Sequence, residues 1–125
     1  MRLRTLLLLS GVLGIGFGLG FLLAPAAVLA LYGAGTDAAG LFMARFFGAA
    51  LVQVGFVLFL ARDVSEAPAR RGLVLGSLLG SIAGLSVALS GQLAHLVNGL
   101  GWSTVAIYGL LLLGYGSFVF GKKAA

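Results

Sequence analysis

The sequence contains no cysteine. That removes disulfides, thiolate metal sites and thiol nucleophiles, and leaves the redox compartment open. Acids are nearly as scarce: Asp37, Asp63 and Glu66 are the full set. There is one histidine, His95, and two prolines, Pro25 and Pro68. Charged residues make up 9% of the chain, against roughly 25% in a water-soluble domain. So few charges cannot cover a water-facing surface, and the expected solvent is lipid. Serine is present, but no activated nucleophile stands beside an oriented base. Only Asp37 is on the side to orient His95, and Ser90 lies more than one helical turn before that histidine.

What is present is apolar residues and glycine. The 125 residues are 61% hydrophobic, with mean hydropathy +1.16 and 21 glycines. That length suits a single domain, here one integral membrane domain over residues 1–125. About 20 apolar residues cross a hydrocarbon core of about 30 Å. Four runs meet this length, at about 5–24, 38–61, 72–96 and 103–120. The expected fold class is therefore all-α, a four-transmembrane-helix bundle. A secretory signal is the rival reading of the first run, given its basic start and the Val28, Leu29, Ala30 stretch. Its apolar run exceeds an ordinary signal core, so we read a retained helix.

Small residues recur at helical spacing. Gly72, Gly76, Gly80 and Gly84 step by four, and Ala88 and Gln92 keep the step. In water each interior glycine costs a helix about 1 kcal/mol relative to alanine. In lipid the same stripe lets a neighbouring backbone approach closely. The third span is thus expected to act as a central post. Gly14 and Gly18, with Gly16 and Gly20, notch the first span on two sides, and Gly40, Ala44 and Gly48 mark the second. Their spacing does not match GxGxxG, so no phosphate loop is implied.

Pro25 ends or kinks the first helix, and a short interfacial turn is expected over Ala26 to Tyr32. Thr36 or Asp37 is placed to cap the second span. Pro68 is expected to break the helix in the loop from Arg62 to Arg71. Asn98 to Gly101 reads as a tight turn, Trp102 as an interfacial anchor, and Ser103 or Thr104 as the cap of the fourth span.

The net charge is +5. The charges lie at span ends rather than on one face, which excludes nucleic acid and favours anionic lipid head groups. Arg2, Arg4, Arg62, Arg70, Arg71, Lys122 and Lys123 fall in the two termini and the middle loop, and the other two loops carry no Lys or Arg. Both termini are therefore expected in the cytoplasm.

Arg45 and Gln53 are the polar residues within the second span. Arg45 lies about 7 Å outward of that span's middle at 1.5 Å per residue. Gln92 and His95 end the third span at similar depth, and Asp37 caps the same side. Asp37, Arg45, Gln92 and His95 form the candidate ligand-binding set for an anionic or hydrogen-bonding ligand. Alternatively, Arg45 snorkels to lipid phosphate while Gln92 and His95 pair locally. His95, with Gly91 one turn before it, has the chemistry for haem or chlorin ligation, but no second ligand accompanies it. No cofactor and no metal site is expected.

Ala30 to Gly33, then Asp37 to Gly40, then Ala44, Arg45, Phe46, Phe47, Gly48 and Ala49 carry a further pattern. It resembles a class of small bacterial integral membrane proteins with a proline closing helix 1, an LYG-like turn and an AR-x-x-GA stretch opening helix 2. DoxX-like four-helix proteins are more loosely similar. The resemblance implies four spans in the bacterial inner membrane and singles out Arg45, without supplying a reaction. The preferred functional expectation is a non-enzymatic membrane protein that self-associates or serves as a subunit of a larger membrane complex. The alternatives are a ligand-binding or transport protein using the Arg45 and His95 pocket, and a membrane enzyme or haem-binding protein.

Overall fold

A computed structural model describes residues 2–120. Among them are five helices and no strand: α1 (Leu3–Leu23), α2 (Pro25–Leu31), α3 (Ala38–Leu60), α4 (Ala67–Leu93) and α5 (Gly101–Phe120). The four long helices have the length and apolar composition to cross a membrane. The chain divides into two compact units. One is residues 7–61; the other joins residues 62–120 to the first few residues of the chain.

In the first unit, α1 and α3 meet backbone to backbone. A Cβ added at Gly18 would lie 2.7 Å from the amide nitrogen of Val52 and 2.8 Å from the Gly48 carbonyl oxygen. One added at Gly48 would lie 2.5 Å from the Leu22 nitrogen. Gly55 repeats the contact further along, 2.7 Å from the Ile15 nitrogen and 2.8 Å from the Gly11 oxygen. Small residues here let two helix surfaces close without side chains between them. Phe21 and Phe47 lock the same pair edge to face, with ring centroids 5.1 Å apart.

Pro25 opens a new helix. It stands at the first turn of α2, where its missing N–H removes no helical bond. The expected turn over 26–32 is thus mostly a seven-residue helix, which leans on α3. It ends in a Schellman motif: Ala34 N–H donates to the Leu29 oxygen and Gly33 N–H to the Ala30 oxygen. Gly33, at φ 70°, takes the left-handed position that this motif requires.

In the second unit, α4 and α5 pack on each other through side chains. Val74, Leu78 and Ser81 are buried on α4, and Tyr115 and Phe118 on α5. Gly84 receives the Tyr108 ring. At the chain's start, Leu6 is buried and lies over Gly114 of α5. At 100° per residue, Gly72, Gly76 and Gly80 fall nearly opposite Val74 and Leu78. In their own unit, a Cβ added at any of the three meets nothing within 4 Å.

Both ends of α4 and the start of α5 differ from the hydropathy reading. α4 starts at Ala67, five residues before the apolar run, because Pro68 sits in its first turn, where proline is tolerated. α4 also stops at Leu93 and α5 begins at Gly101. Ser103 donates to the Leu100 carbonyl, which engages that hydroxyl inside the first turn of α5.

Candidate functional site

The four polar residues singled out from the sequence fall in both units. In the first, Asp37 is the N-cap of α3: its Oδ1 accepts from the Gly40 N–H at 2.9 Å. That bond satisfies one orphan donor of the helix start. Gly40 lies against the residue before the cap, since an added Cβ would strike the Thr36 hydroxyl. Arg45, two turns into α3, is exposed, as is Gln53. On a helical wheel, Gln53 points away from the Gly48 and Gly55 face, and Arg45 lies at its edge.

In the second unit, Gln92 and His95 build the α4 terminus. His95 N–H donates to the Gln92 carbonyl and Leu96 N–H to the Gly91 carbonyl. This is a second Schellman motif, with His95 in the left-handed position at φ 59°. That position normally belongs to glycine, although histidine visits it more readily than most residues. The His95 side chain is exposed. Gln92 is 7% exposed, and its Nε2 donates to the Asn98 carbonyl at 3.1 Å. Gly101 N–H donates to the same oxygen at 3.0 Å. Gln92 thus ties the connection between α4 and α5 to the end of α4. Its buried Oε1 has no hydrogen-bond partner and rests against Gly101, where a Cβ would strike it. The serine hydroxyls of α4 turn inward on their own helix, Ser81 to the Ser77 carbonyl and Ser86 to the Ile82 carbonyl.

A second group of charged residues also lies in this unit. Arg2 and Arg4 begin the chain, Arg62 follows α3, and Arg70 lies in the first turn of α4. Together with Asp63 and Ser65 they line an open cleft of about 490 Å³. Arg4 Nε donates to Asp63 Oδ1 at 2.8 Å, and Arg62 Nε lies 3.9 Å from Oδ2;. The Arg4 hydrogen bond holds the Asp63 carboxyl below the usual carboxylate range. Desolvation opposes it, and the positive fields of Arg4 and Arg62 reinforce it. These arginines were legible in the sequence as span-flanking charge. Their gathering around Asp63 depends on the start of the chain meeting the 62–70 segment, which no spacing rule reports. Lys122 and Lys123 lie outside the described residues.

Among the described residues, no group of three or more His, Cys, Asp or Glu side chains gathers where an ion could be held. No family model, curated protein or solved structure matches this chain.

Proposed function

We propose that this chain is a non-enzymatic, multi-pass protein of the bacterial inner membrane that self-associates through the glycine face of α4. The observation that carries this reading is the Gly72, Gly76 and Gly80 stripe, turned away from α5 and unpartnered within its unit. A stripe of this length on an apolar helix suits a second copy of the same helix, packed closely as small-xxx-small pairs do. A different membrane subunit is the other occupant, which makes the chain an accessory subunit. The basic residues at both termini and between 62 and 71 support a cytoplasmic position for those segments.

The ligand-pocket reading gains no support from Gln92, whose Nε2 is used by the α4–α5 connection. Arg45 fits the snorkelling arginine, exposed in the outer part of its span.

Native mass spectrometry of protein extracted from its own membrane tests the proposal. The expected result is a homo-oligomer that Gly76→Leu or Gly80→Leu reduces to monomer. A wild-type monomer without partners overturns it, and a hetero-complex moves the reading to accessory subunit. Orientation is tested by cysteines placed singly at Ser65 and Asn98 and probed on intact cells with an impermeant thiol reagent. Labelling at Asn98 alone is expected; labelling at Ser65 alone reverses the topology.

A further inference from the structure

Gln53 has no role in the packing of its own unit. It is exposed, and among the described residues no group hydrogen-bonds to its amide. It stands four residues past the midpoint of α3, about 6 Å along the axis at 1.5 Å per residue. Half a hydrocarbon core is about 15 Å, so the residue lies well inside it. Side chains lean toward the N-terminal end of their helix. In Gln53 that lean carries the amide back toward the middle of the span. Arg45, four residues before the midpoint, leans toward its nearer surface, as snorkelling requires. Gln53 leans away from its nearer surface and has no such escape. An amide held there without a partner loses the hydrogen bonds that water would give it.

The exposed residues around Gln53 are spaced as a helix-pairing seam. Phe42, Phe46, Ala49, Gln53, Phe56 and Leu60 alternate steps of four and three, and all are exposed. That is the a/d pattern of a coiled coil, in which one polar residue fixes register. Many membrane helix pairs cross at the same small left-handed angle. The seam is centred on the side of α3 away from Gly48 and Gly55, the face that α1 occupies. Phe42 and Phe46 are already ordered along it edge to face, with ring centroids 4.8 Å apart.

The chemistry of Gln53 names the occupant. Lys and Arg are so unevenly distributed among the loops that every copy of the chain takes one orientation. α3 of a second copy therefore runs parallel to the first. About a two-fold axis along the membrane normal, an in-register parallel pair sets each seam residue beside its own counterpart. A carboxamide both donates and accepts, so it is its own complement. We propose that the Gln53 face of α3 pairs with α3 of a second copy of this chain, the Nε2 of one Gln53 donating to the Oε1 of the other. This contact is separate from the α4 stripe and does not rest on it. Centred on one amide pair, it is the weaker of the two, formed in the bilayer and lost on extraction once the α4 contact is gone.

The absence of native cysteine allows single-cysteine cross-linking of the full-length protein in its own membranes. Ala49→Cys places a thiol on the seam, and Val54→Cys places one on an exposed position about 100° around the helix. On oxidation, a disulfide-linked dimer is expected from Ala49→Cys and not from Val54→Cys. Adding Gln53→Leu should lower the Ala49→Cys dimer about fivefold at matched expression, the scale of interhelical side-chain hydrogen bonds. Gln53→Asn should retain most of it. The link is expected to persist in membranes when Gly76→Leu is added, which separates this contact from the α4 one. Equal linking at both positions, or none at Ala49→Cys, would overturn the pairing. So would loss of the link with Gly76→Leu. A yield unchanged by Gln53→Leu would overturn the amide pair. A cross-link to a different protein would put another subunit on this face and overturn the second copy. In the Gly76→Leu background, Gln53→Leu should not lower the melting temperature of the extracted protein. A fall there would place the partner of Gln53 within its own chain and overturn the proposal.

Discussion

α1 and α3 approach through glycine, whereas α4 and α5 approach through side chains. Between α1 and α3, Gly18, Gly48 and Gly55 bring backbone atoms so near that a methyl group would collide with them. Between α4 and α5 the space is filled by residues such as Leu78 and Tyr115, and one glycine, Gly84, makes room for a ring. Yet α4 carries the longest run of glycines at four-residue spacing in the chain. A glycine stripe therefore reports that close approach is permitted on a face. It does not say which helix uses it.

The largest effect expected from this difference is at Gly48. Gly48→Ala puts a Cβ against the backbone of α1, and the helices must separate. A loss of about 2–3 kcal/mol, as for other overpacked cores, should appear as a lower midpoint in detergent unfolding. Gly76→Ala meets no such wall in its unit and, in detergent that dissociates the protein to monomer, should raise helix stability by up to about 1 kcal/mol. Opposite signs in the two variants sharpen the comparison. A similar loss in both would mean that α4 is also packed tightly through its stripe.

The two Schellman caps offer a smaller contrast. Gly33 and His95 occupy the same left-handed position, one without a Cβ and one with it. Gly33→Ala should cost about 1 kcal/mol, and His95→Gly should gain about as much, read as shifts in thermal midpoint. Of similar size is Asp37→Ala, which removes the α3 cap and should cost about 1 kcal/mol. The effect should appear as faster amide exchange over the first turn of α3.

The smallest effect belongs to Asp63. Its pKa is lowered from 3.8 in the folded protein. Its contribution is therefore complete above that value and is lost as pH falls through the lower folded pKa. Wild type should show an extra decline in thermal midpoint on acidification below about pH 4 that Asp63→Asn lacks. Because the pair is exposed, salt should flatten the difference.

Much of the helical content was open to a reader of the sequence. Run length marks the four long helices, because spanning lipid demands about 20 apolar residues. Asp37 announces a helix start because its carboxylate suits an orphan N–H. The start of α4 was obscured because hydropathy follows the lipid boundary while a helix follows its hydrogen bonds. Pro68 is a breaking residue and Arg70 a polar one, in a first turn that accepts both. Left-handed His95 was hidden too, since its residue type announces neither a cap nor a turn. Among the candidate residues, Asp37 and Gln92 are legible as polar groups near helix ends. Their partners, Gly40 and Asn98, follow from local geometry that only the folded backbone displays.

The ion pair between Arg4 and Asp63 joins residues 59 positions apart. Synthesis runs from the N-terminus, so Asp63 does not yet exist when α1 first meets the bilayer. During that interval Arg4 carries its charge without this partner, at the stage when flanking positive charge acts on helix orientation. Only after α3 has been made does the carboxylate arrive to quench part of that charge. The same arginine thus stands first without this carboxylate and later in an ion pair with it, with chain elongation as the clock between the two states.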